Sequence, residues 1–186
     1  MQQLLLFDKP FGVLSQFTGD TPEATLSHYI KTPGFYAAGR LDKDSEGLLL
    51  LTNDGQLQAR IADPKYKQQK TYLVQVEGVV SIDALETLRR GVMLKDGKTL
   101  PAIAEVIDEP ALWPRNPPIR ERRNIPTTWI ELKIKEGKNR QVRRMTAAVG
   151  NPTLRLVRAG IGKWSVDAVA PGDSKLVSVS LSDFKL

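Results

Sequence analysis

The sequence predicts an α+β fold in which a mixed, mainly antiparallel sheet is flanked by helices and loops. Segments with strand character outnumber helical segments, and the two types do not alternate regularly along the chain. That order argues against a doubly wound parallel sheet. A length of 186 residues is enough for one large domain or two small lobes with a real core.

The N-terminal part is predicted to hold, in order, a short strand, a weak helix, a buried strand and a second helix: Leu4–Asp8, Thr25–Ile30, Gly47–Thr52 and 53–62. Gly47–Thr52 is a continuous apolar run, which is typical of a strand covered on both faces. Asn53 is expected to cap the second helix, because Gln56 three residues later can complete a capping box.

The remainder is predicted to hold five strands and two helices: Thr71–Glu77, Ser81–Arg90 (helix), Ile103–Ile107, Trp129–Ile134, Asn139–Val149 (helix), Thr153–Val157 and Lys175–Val179. From Tyr72 to Val76 apolar residues occupy every second position, which is strand periodicity. Ile82, Leu85 and Leu88 form one helical stripe. Trp113–Pro126 contains four prolines and is predicted to be a loop.

The composition excludes several kinds of site. There are no cysteines, so disulfides, thiolate catalysis and cysteine-bound zinc are excluded. His28 is the single histidine, and no phosphate-binding glycine motif occurs, so neither a metal nor a nucleotide cofactor is expected. Met1–Phe7 lacks the features of a signal peptide, and no apolar stretch approaches the length of a membrane span. The cytoplasm is the expected location.

Basic residues are clustered, and their clustering predicts a nucleic-acid partner. The formal charge is +6, and 137–166 contains seven basic residues and no acid: Lys138, Arg140, Arg143, Arg144, Arg155, Arg158 and Lys163. A second cluster lies in the proline-rich loop: Arg115, Arg120, Arg122 and Arg123. Such clusters mark the binding surface for a polyanion, although a solvated basic face is the simpler alternative.

The segment Gly39–Gly47 is the first candidate for chemistry. It is a charged loop between glycines, directly before the predicted buried strand, and loops on a rigid scaffold commonly carry catalytic groups. Arg40 could keep the carboxylate of Asp42 ionised, as a carboxylate nucleophile requires. The alternative is an ordinary polar turn with surface ion pairs.

Two further segments are candidates for binding. On a helix, Arg140, Arg143 and Arg144 would share one face, while apolar residues occupy the opposite one. Arginine suits phosphates and carboxylates, but a solvated helix face would show the same pattern. Tyr72, at the start of a predicted strand after Lys70, could stack on an extruded base, or it could simply belong to the core.

Taken together, these segments resemble the RsuA-type family of bacterial pseudouridine synthases. Four motifs occur in the family's order over nearly the whole chain: Lys9–Ser15, Gly39–Gly55, Lys70–Tyr72 and Glu136–Arg144. Many family members begin with a small basic RNA-binding domain. Here the opening motif starts at Lys9, so RNA affinity is expected to come from the catalytic domain, unless the sequence is a truncated form.

The resemblance implies an isomerase that converts a specific uridine of 23S ribosomal RNA to pseudouridine. It implies a catalytic domain over 1–186, with two lobes and a central cleft, that acts as a monomer without cofactor, metal or obligatory protein partner. The implied catalytic residues are Asp42 as nucleophile, Tyr72 against the base and Arg143 paired with the aspartate. The implied substrate-binding residues are Arg40, Lys70, Arg140 and Arg144.

Two other functions fit parts of the same pattern. A non-catalytic protein of ribosome assembly would explain the basic clusters, but it would not need the Arg40–Asp42 loop and Tyr72 together. An RNA hydrolase is disfavoured, because the sequence lacks carboxylate–histidine pairs and metal-ligand clusters. Whether Asp42 would attack C1′ or remove the 2′ proton stays open.

Overall fold

The computed structural model describes residues 1–184 and has an α+β architecture with mainly antiparallel strand pairing, so the predicted fold class is confirmed. In chain order the strands are β1 (Gln2–Lys9), β2 (Tyr36–Ala38), β3 (Glu46–Thr52), β4 (Lys70–Glu77), β5 (Met93–Leu94), β6 (Gly97–Lys98), β7 (Ile103–Ile107), β8 (Thr127–Ile134), β9 (Thr153–Ile161), β10 (Trp164–Ser165) and β11 (Ser174–Val179). The α-helices are α1 (Gly55–Ala62), α2 (Ile82–Arg90) and α3 (Gln141–Ala148). Short 3₁₀ helices lie at Pro22–Ala24, Leu26–His28, Pro64–Tyr66, Val166–Ala168 and Leu181–Phe184.

The chain divides into two compact units. The first consists of Met1–Gln68 and Arg158–Leu186, and the second of Gln69–Val157. The first unit is therefore built from both ends of the chain, whereas the second is continuous in sequence.

In the first unit, β1 is the central strand. It pairs antiparallel with β11 on one side and with β3 on the other, so Leu5 lies opposite both Leu176 and Leu51. Every residue of β3 is buried, which explains its continuous apolar sequence. One face of these strands packs in a core formed by Leu5, Phe7, Val13, Leu26, Ile30, Phe35, Leu49 and Leu51.

In the second unit, β8 pairs antiparallel with both β4 and β7, and Ile130 lies opposite Val74 on one side and Val106 on the other. Alternate residues of β4 are buried, as its sequence period predicts. Leu88 of α2 and Met145 of α3 belong to the same apolar core, so both helices pack against this sheet.

Two predicted helix starts need correction in the first unit. Thr25–Ile30 forms no α-helix; the 3₁₀ helices Pro22–Ala24 and Leu26–His28 cover this region instead. The predicted cap, Asn53, is also wrong. Asp54 caps α1, with its carboxylate accepting from the Leu57 amide at 2.8 Å, so the helix begins one residue later than a cap at Asn53 would give.

The helices of the second unit begin later than predicted. Ser81 caps α2, and Ile82 in the first turn is 79% exposed, so the predicted stripe is buried only further along the helix. Arg140 has a left-handed backbone with φ 51° and precedes α3. It is therefore not part of the helical face that was predicted for Arg140, Arg143 and Arg144.

Gly47 makes a close backbone contact that predicts a large effect of substitution. Its φ is +109°, and a Cβ there would lie 2.3 Å from the carbonyl oxygen of Arg158. We expect Gly47→Ala to destabilise the fold by about 3 kcal/mol or more, from strain and overpacking together. Urea denaturation measures the change.

Gly55→Ala is the matched control, because a Cβ at the first residue of α1 would meet nothing within 4 Å. It should change the free energy of unfolding by no more than about 1 kcal/mol. Equal urea midpoints for Gly47→Ala and wild type would contradict the proposed close approach.

Candidate active site

Asp42 lies in a tight turn between two glycines with positive φ, Gly39 and Gly47. The amide of Ser45 donates to the carbonyl of Asp42 at 3.1 Å, which closes the turn. Leu41 before it is buried, whereas Asp42 itself is partly exposed. The side chain of Asp42 is therefore partly accessible, while the backbone next to it is buried.

Ser15 fixes the residue that precedes Asp42. Its hydroxyl donates to the carbonyl of Leu41 at 2.7 Å and accepts from the amide of Leu41 at 3.1 Å. Because Ser15 is buried, water does not compete strongly for these two bonds. A single side chain thus satisfies both backbone groups of Leu41.

Arg158 holds the two ends of the same segment. Its Nη2 donates to the carbonyl of Gly39 at 2.6 Å, and its Nε donates to the carbonyl of Leu48 at 2.9 Å. The residue is buried, so these charge-assisted bonds form in a region of low dielectric. Arg158 therefore acts as a brace across the loop.

Lys9 is a second buried cation beside this loop, with no exposed surface. Its Nζ donates to three carbonyl oxygens, those of Val13 at 2.7 Å, Pro10 at 2.9 Å and Lys43 at 3.4 Å. Burial lowers the pKa of Lys9 to about 7, although the nearby carboxylates of Glu46, Asp44 and Asp42 oppose the shift. The loop thus places its acidic side chains around a desolvated lysine.

Arg40, which was predicted to keep Asp42 ionised, makes two hydrogen bonds to the 15–16 segment. Its Nε donates to the carbonyl of Ser15 at 3.3 Å, and its Nη2 donates to the side-chain oxygen of Gln16 at 3.0 Å. Arg40 therefore ties the 15–16 segment to the loop, and its exposed side chain still contributes positive charge at the surface.

Lys70 and Tyr72 lie at the start of β4 in the second unit, on its buried face. Tyr72 is 8% exposed and belongs to the apolar core of that unit. The Nζ of Lys70 lies against Gly137, which precedes α3. Both side chains are thus more enclosed than freely accessible binding residues would be.

Arg140, Arg143 and Arg144 line one pocket of about 500 Å³ in the second unit, together with Lys95, Asp96, Asn139 and Ala147. Arg144 is paired with Asp96, with Nη1 to Oδ1 at 2.8 Å. Two arginines of α3 and the preceding Arg140 therefore come together, even though Arg140 is outside the helix.

A comparison with known proteins identifies the family. The sequence model described as RNA pseudouridylate synthase matches residues 3–148. The chain belongs to this family. Its members are isomerases that act on RNA, and the candidate loop Gly39–Gly47 and the second-unit residues up to Arg144 all lie within the matched region.

Individual relatives agree with this assignment. Ribosomal large subunit pseudouridine synthase E of Xanthomonas axonopodis pv. citri (strain 306) is 58% identical over 171 residues, which cover 90% of each chain. The same enzyme of Vibrio parahaemolyticus serotype O3:K6 is 55% identical over 96% of this chain and 75% of the relative. A solved pseudouridylate synthase superposes with a TM-score of 0.78 at 29% identity, covering 99% of this chain and 73% of the other.

The basic stretch of this pseudouridylate synthase is only partly available for RNA. Arg155 and Arg158 are buried, and Arg155 donates to the carbonyl of Trp113 at 2.8 Å. Lys163 pairs with Asp183 at 2.6 Å. The prediction that the basic residues of 137–166 mark a binding surface therefore needs correction for Arg155 and Arg158, because both bond to backbone carbonyls inside the fold.

In the proline-rich loop too, some arginines anchor the fold and others are exposed. Arg115 donates to the carbonyls of Pro117 and Leu154, and Arg122 pairs with Glu77, so both anchor the loop on the second unit. Arg120 and Arg123 are exposed. The loop borders a pocket of about 400 Å³ whose lining includes Arg120, Arg122, Arg123, Glu77 and Gln75.

Three residues that organise the loop were not recognised as such from sequence: Lys9, Ser15 and Arg158. Lys9 and Ser15 stand at the two ends of the motif Lys9–Ser15, whereas Arg158 was noted only as one of the clustered cations. Within residues 1–184, no group of three metal-binding side chains is found. None of the helices in that range is long and apolar enough to cross a membrane.

The depressed pKa of Lys9 predicts a pH-dependent stability. Between about pH 7 and pH 10.5, Lys9 holds a proton in the unfolded chain that it has lost in the folded chain. The free energy of unfolding therefore rises with pH in this window. This gain in the free energy of unfolding is lost as the pH falls toward 7. Relative to Lys9→Met, wild type should gain up to about 1.4 kcal/mol per pH unit in urea unfolding.

A direct measurement separates this effect from other titrations. Nuclear magnetic resonance of ¹³C-labelled lysine should show one resonance, absent in Lys9→Met, that titrates well below the others. A Lys9 resonance titrating with the surface lysines near pH 10.5 would disprove the prediction.

Proposed function

We propose that this chain isomerises a specific uridine of 23S ribosomal RNA to pseudouridine, with Asp42 as the nucleophile. The observation that carries the proposal is the braced Asp42 loop, which lies within the region matched by the RNA pseudouridylate synthase family. Relatives covering most of the chain are named ribosomal large subunit pseudouridine synthase E, which supports ribosomal RNA of the large subunit as the substrate.

The environment of Asp42 suits a carboxylate that must attack. The side chain is partly exposed, while the backbone on its N-terminal side is fixed through Leu41 by Ser15. A rigid support matters because a nucleophile gains rate only when it is held close to its near-attack geometry.

The reaction itself needs no external energy source or oxidant. A target uridine is flipped out of its stack, at a cost of roughly a few kcal/mol. Asp42 then starts cleavage of the bond from C1′ to N1, either by adding to C1′ or by removing the 2′ proton. The uracil rotates and bonds to C1′ through C5, while the bond between Asp42 and C1′ breaks on the first route or the 2′ proton returns from Asp42 on the second. The C5 proton is lost and N1 is protonated, so substrate and product are isomers.

Tyr72 and Arg143 complete the proposed chemistry. Tyr72 packs on the uracil and accepts the C5 proton. Because Tyr72 is a buried residue of β4, its ring is held in one orientation against the base. Arg143 pairs with Asp42 and holds the carboxylate ionised and aimed. Its place on α3, whose Met145 is packed in the core, gives that guanidinium a fixed base.

The remaining basic residues hold the displaced RNA. We assign this role to Arg40, Lys70, Arg140 and Arg144. Arg40 and Arg140 are exposed, and Arg140 borders the pocket before α3. The chain is proposed to act as a monomer, on naked RNA or on a precursor particle.

Asp42→Asn should abolish turnover while the fold is retained, because the amide cannot act as the nucleophile or base. The measurement is tritium release from RNA labelled at C5 of uridine. Asp44→Asn is the matched control, because it removes the same charge two residues away in the same turn. It should keep activity within about tenfold of wild type.

Retention of activity by Asp42→Asn within tenfold of wild type would contradict the assignment of the nucleophile. If wild type bound the RNA tightly but released no tritium, the chain would instead be a binding or assembly protein.

Arg143→Ala should slow the chemical step even when RNA is saturating. Breaking a desolvated pair from one side costs about 3–5 kcal/mol, which corresponds to roughly 150- to 5,000-fold in rate. Arg143→Lys should restore only part of the loss, because an ammonium lacks the planar fork. Single-turnover pseudouridine formation across RNA concentration measures both effects.

Arg144→Ala provides the comparison, since it is the neighbouring residue on the same helix. It should raise the RNA concentration needed for half-maximal rate more than it lowers the maximal rate. The opposite result, with chemistry lost in Arg144→Ala and only affinity lost in Arg143→Ala, would refute the roles assigned to this helix.

A further inference from the structure

Arg144 is fully engaged within the second unit. Its Nη1 and Nη2 donate to the two carboxylate oxygens of Asp96 at 2.8 and 3.3 Å, and its Nε donates to the carbonyl of Asn139 at 3.0 Å. This two-pronged pairing uses the side of the guanidinium that best fits an anion with two oxygens. An RNA phosphate that is to bind Arg144 in this way must take the place of Asp96.

Asp96 lies at the tip of a small hairpin. Leu94 of β5 lies opposite Gly97 of β6, so Lys95 and Asp96 form the two-residue turn between them. Both turn residues are exposed, and this hairpin contains only two short strands. The carboxylate is thus carried by a small element that projects toward α3.

The surroundings of Asp96 are strongly basic. The pocket of about 500 Å³ contains this single carboxylate and four cationic side chains: Lys95, Arg140, Arg143 and Arg144. The hydrogen bond from Arg144 lowers the pKa of Asp96, so the carboxylate stays ionised at neutral pH. Such an excess of positive charge in a concave surface attracts phosphate groups.

We propose that Asp96 is an internal competitor for RNA: it occupies the phosphate-binding fork of Arg144 in the free protein and is displaced by a phosphodiester of the bound RNA. The proposal rests on the proposed function only in taking RNA as the ligand. It assigns this pocket as a phosphodiester subsite, and it makes Asp96 a determinant of how selectively that subsite is filled.

The ion pair has the properties that such an exchange requires. The side chains of Arg144 and Asp96 are 33% and 49% exposed, and ion pairs this accessible to water contribute little to stability. A phosphodiester can therefore displace the carboxylate when neighbouring contacts hold the RNA in place. An RNA that makes few other contacts meets the repulsion of Asp96 instead, which reduces binding to incorrect sites.

The test uses a fluorescein-labelled single-stranded RNA of 20 mixed nucleotides and measures its affinity by fluorescence anisotropy in low and physiological salt. Asp96→Asn should bind this RNA roughly three- to tenfold more tightly at low salt, because one competing charge is gone. The slope of log K against log salt should become more negative by up to about 0.7–0.9.

Two controls show whether the effect acts through Arg144. Glu105→Gln removes one exposed negative charge from β7 and should change affinity less than about twofold. In the Arg144→Ala background, Asp96→Asn should have little further effect. Circular dichroism and urea unfolding confirm that each variant is folded, and Asp96→Ala provides a second variant at the same position.

The proposal is overturned if both Asp96 variants bind RNA no more tightly than wild type, since the pair would then serve the fold alone. It is also overturned if the gain persists in Arg144→Ala or is equalled by Glu105→Gln, since only overall charge would then matter. Pseudouridine formation by wild type is measured separately. Its absence would refute the proposed function without changing the outcome of these binding comparisons.

Discussion

The candidate active site depends on the hydrogen bonds of one buried guanidinium, that of Arg158. By donating to the carbonyls of Gly39 and Leu48, Arg158 fixes both ends of the segment that carries Asp42. Gly47 is required at the same point, because only a residue without a side chain lets the two backbones approach so closely. The position of the carboxylate is therefore set by groups that cannot contact RNA.

This arrangement links the chemistry of the loop to its stability. Lys9 and Arg158 are both buried, and burial of a cation is costly unless opposite charge is near. Glu46, Asp44 and Asp42 provide that charge for Lys9. The carboxylates of this turn thus offset part of the desolvation of Lys9, and Asp42, the proposed nucleophile, is one of them.

The sequence was sufficient for the fold class and most of the long strands, because the apolar period of β4 and the continuous run of β3 reflect their burial directly. It missed β2, β5, β6 and β10, since strands of two or three residues are too short to show a period. The Asp42 loop was recognisable from its motif. The contacts that support it were not, because Ser15, the last residue of the motif Lys9–Ser15, and Arg158 are distant in sequence and meet the loop only in the folded chain.

The charge clusters predicted a class of partner but not which of their residues are available to bind it. Seven cations between 137 and 166 predicted a binding surface, yet Arg155 and Arg158 are turned inward to backbone carbonyls. A count of charges cannot distinguish an arginine that meets solvent from one that stabilises the interior. Only tertiary contacts make that distinction.

The division of the chain has a consequence for its synthesis on the ribosome. The first unit needs residues from both termini: β1 pairs with β3, which emerges early, and with β11, which emerges last. The second unit is contiguous and is complete long before the C-terminus appears. Domains fold as they emerge when their contacts are available. The nascent chain can therefore complete the unit that carries Tyr72 first, and Arg158 emerges directly after it, whereas the edge of β1 that pairs with β11 must wait for 174–179 to leave the tunnel.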